Sequence, residues 1–245
     1  MTAAVPRNTG SEGPFEKKGR SMMTSWLPEN VSTFGGEIDS VFYLILYITT
    51  FWLVLTEGII VFCLIRYRRR NGQRAAYLSG ATLRELSWIL APLLVVVLLD
   101  FWIDLRGTQV WAKIKERFPT ADVTVQVTGK QFNWEIVYPG PDGKLGTADD
   151  LQIDNELHVP AGKVVRVVLK SKDVIHSFFL PNLRLKQDAV PGREIVAWFE
   201  ATKPGKYEMP CSELCGFGHS GMNGWLIVDT PENYEKWVKE QWPKK

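Results

Sequence analysis

Cysteine and histidine are scarce in this chain, with three of each among 245 residues. Three cysteines cannot build a disulfide scaffold. No Cys-x-x-Cys-His run occurs, which excludes a c-type haem attached to this sequence. Excess charge is also small: 29 Lys+Arg stand against 27 Asp+Glu, a net of +2. A nucleic-acid-binding domain would show a basic surplus, so that class is excluded. Residues 1–38 carry four basic and four acidic residues with Pro and Gly scattered among them. They have no apolar stretch of the kind a cleavable signal peptide needs. They read as a flexible tail, with Met22 or Met23 as alternative starts. Apolar content, by contrast, is ample at 45% hydrophobic and 12% aromatic. That excludes a disordered protein and allows one or two domains with a real core.

Two long apolar runs stand near the N-terminus. Residues 41–65 (VFYLILYITTFWLVLTEGIIVFCLI) contain a single residue charged at neutral pH, Glu57. About 20 apolar residues as helix cross a bilayer core, so this run reads as a membrane span. Cys63, inside it, reads as a packing residue, and Glu57 has no evident task. Residues 86–103 (LSWILAPLLVVVLLDFWI) form a shorter second run with Pro92 inside. A buried soluble helix is the alternative for that run. A proline is tolerated in a membrane helix where neighbours satisfy the freed carbonyl. The connection, residues 66–84, holds six arginines and no acid. The positive-inside rule places it in the cytoplasm, with both termini and the C-terminal part on the outer face.

From residue 107 on, after a short helical patch at Trp111–Arg117, the apolar period shortens to two. Alternating stretches occupy 123–129, 131–138, 151–159, 164–171, 194–201 and 224–229. Turns such as PGPDGKLGTADD, VPAGK and KPGK punctuate them. Short strands between such turns predict an all-β sandwich or barrel. PENYEKWVKEQW (231–242) predicts a terminal helix opened by proline. Asp142, Asp149 and Asp150 in the turn 141–150 read as a solvated hairpin, with Ca²⁺ binding as the alternative. His158 reads as a solvated strand-end residue.

The segment PCSELCGFGHSGMNG is the most informative. It places Cys211, Cys215, His219 and Met222 within twelve residues, and His176 lies upstream in DVIHSFFLP. Two thiolates, two imidazoles and a thioether form a soft ligand set that suits copper. Zinc rarely recruits methionine. Glycines at 216, 218, 221 and 224 allow the loop to bend back toward His176. Two bridging thiolates can hold two copper ions, each with one imidazole. Met222 and the backbone carbonyl of Glu213 then serve as weak axial ligands. A Cys211–Cys215 disulfide and a mononuclear copper site are the alternatives.

At these residues the chain resembles subunit II of haem–copper cytochrome c oxidase over roughly 38–242. C-S-E-L-C-G-x-G-H-x-x-M (211–222), D-V-I-H-S-F-x-x-P (173–181) and L-K-x-D-A-V-P-G-R (185–193) carry the resemblance. It implies a transmembrane helical hairpin (39–106) followed by an all-β cupredoxin-like, Greek-key domain (107–245) in the periplasm, on an inner membrane. It implies a dinuclear CuA centre held by His176, Cys211, Glu213, Cys215, His219 and Met222. It also implies a Mg²⁺ or Mn²⁺ ion on the Glu213 side chain at the border with subunit I, with Asp188 in the water network around it. Glu85, Trp88 and Pro92 match the family's E-x-x-W-x-x-x-P, where the glutamate stands at the mouth of a proton path.

The resemblance implies an electron-transfer subunit, an oxidoreductase only within its complex. Electrons would pass from cytochrome c to haem in subunit I for O₂ reduction coupled to proton pumping. A nitric oxide reductase of the same superfamily is the alternative. Subunit I, subunit III, membrane lipid and a cytochrome c or cytochrome c domain are the implied partners. One departure concerns the donor. The family commonly has Q-W-x-W where this chain has Gln131-Phe132-Asn133-Trp134. Phe132 and Trp134 are the expected electron-accepting residues, but Phe132 lacks the indole N–H. Asp154 and Asp173 remain of an acidic docking surface, while Lys172 and Val137 stand where acids are frequent. The expected donor is therefore not a highly basic cytochrome c.

Overall fold

A computed structural model describes residues 27–69, 72, 74, 77 and 79–242. Helix α1 spans Gly35–Arg66 and helix α2 spans Leu83–Trp111. Both exceed the apolar runs at 41–65 and 86–103, because each helix continues beyond its run to a cap or a docking contact. At the start of α1, the hydroxyl of Ser32 accepts Gly35 N–H at 2.8 Å. At the start of α2, Thr82 Oγ1 accepts Glu85 N–H at 3.3 Å. Such caps satisfy backbone donors that lack a partner in the first turn. Within α1, Thr49 Oγ1 donates to Ile45 C=O at 2.8 Å, which satisfies a hydroxyl among apolar neighbours. Both helices are long and apolar enough to cross a membrane.

The C-terminal end of α2 runs into a π-helical turn at Ala112–Glu116, the region expected as a separate helical patch. This turn docks on the β domain. Trp198 Nε1 donates to Ile114 C=O at 2.9 Å, and Phe34 meets the same indole edge to face. Arg184 bonds both carboxylate oxygens of Asp39 on α1, at 2.7 and 3.1 Å. Lys113 pairs with Glu37. The expectation of a flexible tail through residue 38 is corrected for its last part. Val31, Ser32 and Phe34 are buried, and Val31 bonds Asn182 and Thr202 through its backbone. Two apolar side chains gain burial there, which offsets the entropy of ordering the segment. The rest of the expected tail, and Met22 and Met23, lie outside the described residues.

Ten strands follow: β1 Val123–Lys130, β2 Asn133–Tyr138, β3 Leu151–Asp154, β4 Glu156–Pro160, β5 Val164–Ser171, β6 His176–Leu180, β7 Leu185–Ala189, β8 Ile195–Glu200, β9 Gly205–Pro210 and β10 Asn223–Asp229. They form a five-stranded sheet (β3-β2-β1-β5-β8), a three-stranded sheet (β4-β10-β9) and the β6-β7 hairpin. Alternate residues such as Val125, Val127, Ile136, Val165, Val167, Leu226 and Val228 fill the space between the layers. The alternating run 151–159 is two strands, because Asn155 takes φ 61° and sends β4 into the other sheet. Asparagine tolerates this left-handed conformation better than most residues.

Helix α3, Pro231–Gln241, is capped by Thr230 Oγ1, which accepts Asn233 N–H at 3.3 Å. It changes the reading of His158. That imidazole is not solvated: its side chain is 15% exposed, lies 3.0 Å from Asp229 and stacks on Trp237 at 4.7 Å. The turn 141–150 satisfies its own carboxylates. Asp142 accepts Lys144 N–H, Asp150 accepts Gly146 N–H, and Asp149 accepts the Thr147 hydroxyl.

Candidate metal centre

The last register pair of β9 and β10, Pro210 with Asn223, leaves residues 211–222 as a closing loop. Cys211 N–H donates to Met222 C=O at 3.0 Å and shuts the loop at its base. Ser212 N–H donates to Ser177 C=O at 2.9 Å and fastens the loop to β6. That strand begins with His176, so the contact brings a histidine 35 residues upstream against the cysteines. A short 3-10 turn, His219–Gly221, then turns His219 and Met222 inward. Gly216 takes φ +136°, a conformation few other residues adopt without strain. Gly129 leaves room for the His176 ring: a Cβ there would lie 2.7 Å from it.

His176, Cys211 and Cys215 are buried, and their ligating atoms lie within 4.8 Å of one another. Cys211 Sγ is 3.9 Å from His176 Nδ1 and 3.3 Å from Glu213 C=O. Cys215 Sγ is 3.5 Å from His219 Nδ1 and 3.7 Å from Met222 Sδ. Each sulfur thus has its own imidazole and its own weak donor. The sulfurs are 3.9 Å apart and both cysteines are free. A disulfide needs about 2.05 Å, so that alternative is corrected. The spacing fits metal ions. Bonds of about 2.3 Å to sulfur and 2.0 Å to nitrogen separate the two ligand atoms by roughly 3.5–3.7 Å at tetrahedral to trigonal angles. Burial and the neighbouring Cys211 push the Cys215 thiol up to about 11. A bound cation would offset that penalty by favouring the thiolate.

Two residues around the ligands were not foreseen in this role. Asp173, expected at a docking surface, lies 2.8 Å from His176 Nε2. Burial alone would raise its carboxyl, but bonds from Gln131, His176 and Val174 outweigh that and hold it below the usual aspartate value. Gln131 Nε2 donates to Cys215 C=O at 2.5 Å. No spacing or pattern in the sequence marks Gln131 for this contact.

The other expected site residues separate. Phe132 is 38% exposed, and its ring lies over Gly218, where a Cβ would meet it at 2.5 Å. Trp134 is fully buried and meets His176 edge to face at 6.0 Å. The Glu213 side chain is exposed and borders a 320 Å³ cavity with Trp111, Lys115, Lys186, Gln187 and Asp188. Asp188 accepts the Ser177 hydroxyl at 2.7 Å. Glu85 lies at the other end of the molecule, at the start of α2, with the Ser79 hydroxyl at 3.3 Å.

Fold and site together define a membrane-anchored, copper-binding cupredoxin domain. Residues 123–229 match the family of the cytochrome C oxidase subunit II periplasmic domain, and residues 21–103 match the transmembrane domain of the same subunit. An alternative cytochrome c oxidase subunit 2 of Bradyrhizobium diazoefficiens is 32% identical, over 88% of this chain and 83% of its own length. The cytochrome c oxidase subunit 2 of Thermostichus vulcanus is 31% identical, over 87% and 78%. The solved periplasmic domain of cytochrome oxidase subunit II from Bradyrhizobium japonicum is 36% identical with a TM-score of 0.46, covering 51% of this chain and 96% of that one. This chain belongs to the cytochrome c oxidase subunit II family. It is a membrane protein with two spans, and it works with subunit I in a haem–copper oxidase complex.

Proposed function

We propose that this chain accepts electrons from a c-type cytochrome at a dinuclear copper centre and passes them to haem in subunit I, for O₂ reduction coupled to proton pumping. The observation that carries this reading is the pair of sulfurs 3.9 Å apart, each with its own imidazole. A mononuclear site would leave one such pair without a role. His176, Cys211, the Glu213 carbonyl, Cys215, His219 and Met222 would hold the copper. When bound, the two ions would share one electron and so keep bond rearrangement on reduction small.

The surrounding residues have separate tasks. Phe132 offers an exposed aromatic edge to the donor. Trp134 fills the space behind His176 and keeps water from that side of the site. Near Phe132, Lys172 and Lys130 both pair with Glu135, so that carboxylate gives little long-range attraction. Apolar contact would then dominate docking, which favours a donor that is not strongly basic. Glu213 would hold Mg²⁺ or Mn²⁺ together with groups from subunit I. Glu85, at the cytoplasmic end of α2, would collect protons. The copper domain would face the periplasm from the inner membrane, with subunit III and lipid around the spans.

The purified complex tests this reading. Reduced c-type cytochrome should drive fast O₂ consumption and slow anaerobic NO loss. Fast NO loss with negligible O₂ uptake would assign the same copper domain to a nitric oxide reductase.

A further inference from the structure

The α1–α2 hairpin has a groove on each side. Val41 of α1 and Val110 of α2 line both grooves, so they mark the seam where the helices meet. One groove ends against Arg184, Leu185 and Lys186 of the β domain. It also shares Trp111, Lys115 and Lys186 with the cavity beside Glu213. The other groove, of 630 Å³, is lined by no residue of the β domain and none of that cavity. It opens on the face of the hairpin away from Glu213.

This second groove changes character along its length. Val41, Leu44 and Trp102 line one part, inside the apolar runs 41–65 and 86–103. Glu37, Arg106, Lys113 and Arg117 line the other part, beyond the ends of those runs. The groove therefore crosses the boundary between hydrocarbon and headgroups. Trp102 lies about one turn from Arg106, and tryptophan favours that boundary.

The charged part has a surplus of cations. Trp102, Arg106, Lys113 and Arg117 follow at intervals of four, seven and four residues and so share one stripe. Asp100 and Asp104, each two residues from Trp102, point to the opposite side. Glu37 pairs with Lys113. No carboxylate among the described residues pairs with the side chain of Arg106 or Arg117. Two guanidinium groups without an anion thus stand beside an apolar slot, in a chain that spans a membrane twice. A guanidinium binds phosphate through paired N–H bonds. The matching ligand carries a phosphate with net negative charge at one end and hydrocarbon at the other.

We propose that this groove binds one anionic phospholipid from the leaflet on the side of the β domain. Arg106 and Arg117 hold its phosphate, and Val41, Leu44 and Trp102 receive the start of an acyl chain. This goes beyond bulk lipid around the spans. It needs the two spans, but neither the copper reading nor the direction of electron flow.

The test uses the whole complex, purified in mild detergent and stripped of loosely held lipid. Phosphatidylglycerol and phosphatidylcholine are the probes. Native mass spectrometry counts the lipids that stay bound and the protein subunits present. Arg106→Gln combined with Arg117→Gln should hold one phosphatidylglycerol fewer than the wild type. Affinity at that site should fall about ten- to thirtyfold. Leu44→Trp fills the apolar part, leaves the charges in place and should lose the same lipid. Lys236→Gln combined with Lys239→Gln removes equal charge from α3 and should retain it. If the double arginine variant does not assemble, Leu44→Trp decides. Wild-type retention of phosphatidylglycerol in either groove variant overturns the proposal. So does an equal loss of phosphatidylcholine, which would remove the preference for negative charge. Loss of a protein subunit from the double arginine variant with lipid unchanged would assign the arginines to that subunit instead. Displacement by glycerol phosphate as readily as by phosphatidylglycerol would also overturn the proposal, because that ligand has no acyl chain.

Discussion

One carboxylate oxygen of Asp173 lies 2.8 Å from Nε2 of His176, while the other accepts Gln131 N–H at 2.7 Å. Gln131 in turn holds the Cys215 carbonyl. Two candidate copper ligands from distant parts of the chain are thus braced through one carboxylate and one amide. A carboxylate on the far nitrogen of a ligating imidazole fixes its orientation and raises its basicity. Asp173→Asn should weaken copper binding by about 10–100-fold. It should also raise the reduction potential, because the lost negative charge favours the oxidised centre. Copper titration of the metal-free complex and a redox titration measure the two effects. Wild-type values for both would remove Asp173 from this role.

Phe132 and the ligand loop share one surface. Phe132→Ala should slow electron uptake from the cytochrome by about tenfold through lost positioning, with the copper absorption unchanged. Gly218→Ala pushes the same ring aside and should act in the same direction. Stopped-flow reduction of the centre reads both. The wild-type rate should also vary little with ionic strength, because the docking surface lacks a strong field. A steep fall with added salt would restore the basic-donor reading.

Glu135 gives a pH prediction. It is 7% exposed and bonds Lys172 at 2.8 Å and Lys130 at 3.3 Å. Burial raises its carboxyl, but the two ammonium groups outweigh that and hold it below the ordinary glutamate value. The folded value is therefore lower than the unfolded one. The stabilisation is full above the unfolded value, about 4.3, and is lost as pH falls through the folded value. Melting followed by copper absorption should show this acid limb below about pH 4.3. Glu135→Gln should lose that part of the pH dependence. An unaltered limb would assign it to other carboxylates.

Glu85 stands far from the copper ligands, at the capped start of α2. Glu85→Gln keeps the size and hydrogen bonding of the side chain but removes a proton carrier. Turnover of the complex should fall by about tenfold or more. Copper absorption and the rate of reduction by cytochrome should stay as in the wild type. Unchanged turnover would return Glu85 to an ordinary interface charge.

The spans were legible because hydrophobic length is a local property that needs no partner strand. Four of the six expected strands also kept their bounds to within one residue, because one side of each is buried. β6, β7 and β9 were not foreseen. HSFFL ends in three consecutive apolar residues, while LKQDA and GKYEMP are largely polar, so none alternates. β6 and β7 take their strand character from pairing with each other, and β9 takes it from β10. His158 illustrates the same limit. Its place on a strand was readable, but its burial depends on Trp237, which arrives from a helix nearly eighty residues later.

By itself the sequence determined the two apolar spans, the soft ligand set and the loop spacing that carries four of its side chains, all properties of neighbouring residues. The tertiary structure alone decided that His176 meets Cys211, that Asp173 braces His176, and that Phe132 is exposed while Trp134, two residues on, is buried. These outcomes depend on which strands pair and in what register. Contacts between residues distant in the chain form only when burial across both sheets repays the entropy of closing the loops between them.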